Sequence, residues 1–171
     1  AVRTAASATA DIYAHTSTTV ATVLTALQAE SGGSSYVYAR RIGSIVRAGA
    51  TILAFTQRGD EFELVTPVRD YNSALGSTSA VTVTLSSVPT GVVMIADVTA
   101  YIDIAGAIWY ISALTQTDQA PSNTAAPLGD GGFAAGTATS SRNRVPTNTS
   151  SQIRVRSNST STAMQIVTNG W

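Results

Sequence analysis

His15 is the single histidine of the chain, and it follows closely on Asp11 in a segment rich in hydroxyl side chains. A Ser/His/Asp relay can be drawn from these residue types, with a hydroxyl as nucleophile and the imidazole as base. The G-x-S-x-G elbow that presents such a serine is missing, and with about a quarter of the chain serine or threonine a hydroxyl stands near anything. His15 therefore reads as a structural or surface residue. Metal chemistry has still less to draw on. There is no cysteine, and the ten carboxylates (Asp11, Glu30, Asp60, Glu61, Glu63, Asp70, Asp97, Asp103, Asp118, Asp130) are scattered rather than clustered at ligand spacings. No catalytic residue, metal or cofactor is expected.

Three further patterns invite chemistry. Glu61 and Glu63 share one face of an extended segment, where a carboxylate pair could serve glycoside hydrolysis, but a solvated hairpin edge accounts for them better. Gly129-Asp130-Gly131-Gly132-Phe133-Ala134 matches a relaxed dinucleotide-binding pattern. That pattern needs a strand before it and a helix after it, and here loop-forming residues stand on both sides, so a surface loop is expected. Asn148-Thr149-Ser150 and Asn158-Ser159-Thr160 match glycosylation triplets, which arise freely in such a composition.

Contact residues are easier to nominate than catalytic ones. Trp109 and Tyr110 are adjacent, so on a strand they point to opposite faces: one is expected in the core, the other at an interface or ligand. Arg154 and Arg156 share a face, an arrangement suited to carboxylates of a neighbouring subunit or to plain solvation. Trp109, Tyr110, Arg154 and Arg156 are thus the candidate interface or ligand contacts.

The composition sets the frame for these residues. The 171 residues suffice for one domain with a real core; 44% are apolar and only 12% charged, with ten arginines and no lysine. Zero formal net charge provides no electrostatic footprint for nucleic acid. It also makes a lone monomer a poor colloid, which favours permanent assembly. The longest apolar run, Val92–Ala96, is far too short to span a bilayer. The opening AVRTAASATAD has neither an initiator methionine nor an apolar signal core, which suggests processing or a longer parent chain. The ending at Trp171 raises the same question.

Period-two alternation supplies the elements. Val81-Thr82-Val83-Thr84-Leu85 is the clearest strand, followed by a turn cluster over Ser86–Gly91. Val92–Ile104 reads as a strand pair or one bent strand, and Ala107–Leu114 resumes after Gly106. Thr51–Gln57 and Glu61–Val65 flank Arg58-Gly59-Asp60 as a hairpin, with Pro67 ending or edging the second arm. Ile153 and Val155 alternate with arginines, and Met164–Val167 forms a last strand. Thr115–Thr149, poor in large apolar residues, is expected to be a long polar loop with one weak strand near Phe133–Thr139. Helix and strand compete over Thr18–Gln28: Val20, Val23, Leu24 and Leu27 keep helical spacing, while the interleaved threonines disfavour a helix. Seven to nine short strands make an all-β fold, an antiparallel β-sandwich or jelly roll.

From Arg40-Arg41-Ile42-Gly43-Ser44-Ile45 onward the chain resembles a group of tailed-bacteriophage and prophage virion proteins. The resemblance runs through FTQRGDEFELVTPVRDYN (Phe55–Asn72), LSSVPTGV, TDQAPS, NTSSQIRVRSNSTST and the ending QIVTNGW, blocks that in that group form the C-terminal part of tail-fibre-like proteins. It covers roughly Val37–Trp171; the first thirty-odd residues depart from it, as does Leu64, where an aromatic is expected. The resemblance implies a β-rich virion structural protein, assembled in the host cytoplasm as a homo-oligomer, with a trimer favoured. It implies no catalytic residues, and it tips Thr18–Gln28 towards strand followed by loop. The expected organisation is an N-terminal strand, loop or attachment segment over 1–35 and a β-sandwich domain over 36–171. The expected role is a tail-fibre or spike receptor-binding domain whose partners are other virion proteins and a host surface glycan or protein, with no nucleic acid and no membrane insertion. A purely architectural capsid decoration or head spike is the alternative.

Overall fold

The computed structural model describes residues 2–4, 10–30, 36–75, 78–133, 138–160 and 162–171. The chain forms two compact units, Ala1–Ser44 and Ile45–Trp171.

In the first unit β1 (Val2–Thr4), β2 (Ala10–Asp11) and β3 (Tyr36–Ala39) form a small antiparallel sheet in the order β2-β1-β3, accompanied by the helix α1 (Val20–Ala29). The helix corrects the expectation of a strand over Thr18–Gln28. A turn of 3.6 residues gathers Val23, Leu24 and Leu27 on the better-covered side and leaves Thr22 and Thr25 exposed, so the apolar spacing overrides the weak helix propensity of threonine. The Thr25 hydroxyl donates back to the Ala21 carbonyl at 2.9 Å, and the Gln28 amide donates to the Tyr36 carbonyl at 2.6 Å, tying α1 to β3. Because β3 pairs with β1, residues 36–39 belong to this unit. The sandwich begins at Ile45, beyond the division expected at residues 35 and 36.

The second unit is an antiparallel β-sandwich, as the alternation predicts. A short hairpin of β4 (Arg47–Ala48) and β5 (Thr51–Ile52) leads into β6 (Phe55–Arg58), β7 (Glu61–Leu75), β8 (Val81–Thr84) and β9 (Ile95–Ile102). Then come β10 (Ile108–Ser112), β11 (Asp130–Phe133), β12 (Thr139–Pro146), β13 (Gln152–Ser157) and β14 (Thr162–Gly170). One sheet has five strands in the order β12-β9-β14-β7-β6, the other four in the order β11-β10-β13-β8. Between them lies one core: Ala96, Val98, Ala100 and Ile102 from β9, Met164 and Ile166 from β14, Val83 from β8, Trp109 and Ile111 from β10, and Ile153 and Val155 from β13. Each fully buried aliphatic side chain contributes about 1.5–3 kcal/mol relative to exposure.

Of the two expectations for Pro67, the strand does not end there, because β7 continues to Leu75, but Pro67 does stand on an edge, beyond the stretch that β6 pairs. The register of β7 against β14 shifts between the Gly170↔Glu63 and Thr168↔Val68 pairs, and the β6 pairing stops at Leu64. Pro67 sits in that bulge, where its missing N–H costs no ladder bond. The long loop is also shorter than expected, since β11 and β12 both fall within Thr115–Thr149. β12 went unread because its inward positions are Ser141, Asn143 and Val145, which alternate correctly but lack aliphatic bulk. Buried Asn143 is satisfied locally by the Ser141 hydroxyl and carbonyl. The weak strand expected near Phe133–Thr139 lies partly outside the described residues.

The crossing from β12 to β13 is a tight turn over Asn148–Ser151. The Asn148 side-chain oxygen accepts the Ser150 and Gln152 N–H groups, each at 2.9 Å, and buried Ser151 takes a left-handed φ of 56°. The Ser151 hydroxyl donates to the carbonyls of Val88 and Pro89, at 3.0 and 2.8 Å, which joins this turn to the one after β8. Asn148 is therefore engaged in the fold rather than offered as a glycosylation acceptor, and the Asn158 side-chain oxygen likewise accepts the Ile108 N–H at 2.8 Å.

Candidate functional site

Trp109 is fully buried in the core, and its neighbour Tyr110 emerges on the outer face of the four-stranded sheet. That face is already covered by residues 113–129 of the same chain. The Tyr110 hydroxyl donates to the Ala125 carbonyl at 2.9 Å and accepts the Ser122 N–H at 3.2 Å. Arg154 donates to the carbonyls of Gln116 and Leu114, and Arg156 donates to the Thr78 carbonyl and pairs with Asp118 at 2.8 Å. Gln119 clasps the loop from within, donating to the Ala126 carbonyl and accepting the Leu128 N–H. The four nominated contact residues thus serve the chain's own core and loop. The space left among Tyr110, Asp118, Arg154 and Arg156 is about 10 Å³, at the lower limit for a single water.

The glycine-rich motif belongs to the same face. Gly131 and Gly132 lie in β11, paired with Tyr110 and Trp109 of β10. A Cβ on Gly132 would come within 2.6 Å of the Trp109 ring, and one on Gly131 within 2.7 Å of the Tyr110 ring. Their bareness lets an edge strand lie against two aromatic rings, so the motif is a strand rather than a surface loop. Its last residue, Ala134, lies outside the described residues.

The clamped loop makes a prediction. Tyr110→Phe removes the hydroxyl shared by Ser122 and Ala125, at a cost of about 1 kcal/mol to loop closure. Cleavage within 115–128 by a broad-specificity protease should rise about fivefold with the sandwich melting cooperatively as before. Unchanged cleavage would show that the hydroxyl does not hold the loop.

His15 is exposed, and its Nδ1 accepts the Ser17 N–H at 2.9 Å in the turn before α1. Its ring stacks beside Tyr13 at 6.1 Å, and the Tyr13 hydroxyl, donating to Glu30 at 2.7 Å, is held above its usual pKa by that bond. The side chain of Asp11 lies outside the described residues. No group of three or more His, Asp or Glu placed to hold a metal occurs among the described residues.

A different group of residues does converge on open space. At the Gly170 end of the five-stranded sheet a groove of about 210 Å³ is lined by Arg58, Glu61, Phe62, Glu63, Ile95, Asp97, Arg142, Arg144, Gly170 and Trp171. Backbone register explains it. Gly170 on the middle strand stands abreast of Glu63 on one side and Asp97 on the other. With no side chain there, the carpet of side chains on the outer face has a gap. One bank is Arg142 on Asp97, a two-pronged pair with Nε–Oδ1 at 2.8 Å and Nη2–Oδ2 at 2.5 Å. The other is Arg58 beside Glu63 at 3.3 Å, while Arg144 reaches across from β12 to Glu61 of β7 at 2.6 Å. Hydrogen bonding to Asp97, and then its charge, raises the Arg142 pKa, with Glu63 and Glu61 adding to it. Trp171 seals the inner end: it exchanges backbone hydrogen bonds with Phe62 at 2.7 and 2.9 Å and stacks on that ring at 5.6 Å.

Glu61 and Glu63, read from the sequence as a pair, are therefore each partnered by an arginine. Asp97, Arg58, Arg142, Arg144, Gly170 and Trp171 were not nominated from sequence. Arg142 and Arg144 show the same alternation as Arg154 and Arg156, but they stand in a segment that reads as loop. Compared with known proteins, the chain matches no family model, no curated protein and no solved structure. No helix among the described residues is long and apolar enough to cross a membrane.

Proposed function

We propose that the chain is a structural protein of a tailed-phage particle, a fibre- or spike-type module that assembles through its N-terminal unit and meets the host surface with its sandwich. The carrying observation is the contrast in burial between the two units. In the first, Leu27 is the sole buried apolar side chain among the described residues, while Ile12, Val20, Val37 and Ile42 are exposed. On its described residues the unit buries little of its own apolar surface, which favours stabilisation by partner chains. The sandwich, by contrast, is built on a continuous core of its own. The virion-protein blocks in the sequence lie mostly in the sandwich unit, although the first of them starts at Arg40 in the other, and a homotrimer is the assembly they favour. The role is binding and assembly rather than catalysis: His15 is exposed and the paired glutamates are held by arginines.

Purified protein should elute as a homo-oligomer in size-exclusion chromatography with light scattering, and it should bind host cells and compete with phage adsorption. A protein that associates with capsids or tails but ignores cells would instead establish the architectural alternative. A monomer that binds neither would overturn both.

A further inference from the structure

We infer that the groove beside Gly170 binds one neutral sugar unit, an inference that rests on the adhesion reading and specifies its ligand class. The groove's lining carries three guanidinium groups, which only donate hydrogen bonds, and three carboxylates, which only accept them. Their charges cancel. A phosphate or acidic sugar would meet Asp97, Glu61 and Glu63, and a cation would meet Arg58, Arg142 and Arg144. A hydroxyl both donates and accepts, so neighbouring hydroxyls of a sugar ring can bridge a carboxylate and the guanidinium beside it. Neutral polyhydroxylated ligands are the class that such alternating banks suit.

Size and preorganisation point the same way. About 210 Å³ is below the roughly 300–1,000 Å³ of pockets for drug-sized ligands, which fits a single ring rather than a long chain. Asp97 is fixed by the two-pronged grip of Arg142, so its remaining acceptor sites are aimed before any ligand arrives. The Arg144–Glu61 bridge spans the sheet from β12 to β7. Ile95, 42% exposed, adds an apolar surface for the C–H face of a sugar. The Arg58–Glu63 and Arg144–Glu61 pairs are solvent-exposed at both ends, so their worth to folding is small, about 0–1 kcal/mol each, and in the third pair Arg142 is exposed while Asp97 is largely covered. Removing a single exposed partner therefore tests binding without endangering the fold.

The two tryptophans make the test direct. Both indole N–H groups are buried without a hydrogen-bond partner, but Trp171 is a lining residue of the groove and Trp109 is not. Full-length ¹⁵N-labelled protein is titrated with methyl glucoside, methyl galactoside and N-acetylglucosamine, and separately with glucuronate and inorganic phosphate. The expected result is a saturable shift of the Trp171 indole signal with at least one neutral sugar and little movement of Trp109. Arg142→Ala and Glu63→Ala should each weaken that binding about tenfold. No shift with any neutral sugar, a shift only with glucuronate or phosphate, or undiminished binding in both variants would overturn the inference. Adhesion to host cells with a silent groove would sink this inference alone. Sugar binding by a protein that ignores cells would sink the adhesion reading and leave the groove's assignment standing.

Discussion

Gly170→Ala is expected to destabilise the sandwich by about 3 kcal/mol, lowering the thermal midpoint by about 10 °C. The added Cβ would overlap the Phe62 carbonyl oxygen and stand 3.1 Å from the Glu63 Cα. Both obstacles are backbone, so no side-chain rotation relieves them. β14 would have to withdraw from β7, which strains the reciprocal Phe62–Trp171 hydrogen bonds and the ring stack behind them. Asn169→Ala is the fitting comparison. It removes one side-chain bond to Thr99, at 3.0 Å, and should cost about 1 kcal/mol or less. Thermal and urea unfolding of the two variants would check the ranking. A Gly170→Ala protein within about 0.5 kcal/mol of the parent would show that the strand end yields more readily than its geometry implies.

Asp70→Ala should cost about 2–3 kcal/mol, because it strips one acceptor from several donors at once. The Asp70 carboxylate on β7 accepts the hydroxyls of Ser86, at 2.6 Å, of Ser87, and of Thr168 on β14, at 2.6 Å. It also accepts the Ser87 N–H at 3.3 Å. Ser87 and Thr168 are buried, so their freed hydroxyls would not regain water. The cluster also joins the five-stranded sheet to the turn that leaves β8 of the other sheet, and its loss should loosen that crossing. Asp70→Asn, which keeps one acceptor oxygen, should lose about half as much. A shift in urea midpoint for the alanine variant no larger than that for a surface substitution would refute the role assigned to this carboxylate.

Neither residue announces itself in the linear order. Asp70 looks like one more scattered acid, and its donors come from Ser86, Ser87 and Thr168, which meet only because β7 and β14 pair and the turn after β8 folds over them. Gly170 looks like a terminal loop residue. Its need for a bare Cα comes from the close approach of β7.

Alternation was enough to establish the sandwich, because burying every second side chain is a local rule that each strand obeys separately. Val81–Thr84, Ile95–Ile102 and Gln152–Ser157 all show it in their own residues. β12 escaped notice since serine and asparagine can occupy inward positions once a neighbouring group satisfies them, and hydropathy does not register that compensation. Over Val20–Ala29 propensity and spacing disagree, and packing decides for the helix α1. The destination of Tyr110, Arg154 and Arg156 was beyond the reach of pattern. A strand's outer face is polar whether it meets solvent, a partner or the chain's own loop, and only the path of residues 113–129 decided among them. The groove is likewise a product of assembly: six charges from four strands come together because register sets Gly170 between Glu63 and Asp97, and register is a relation between distant segments that no single stretch of residues contains.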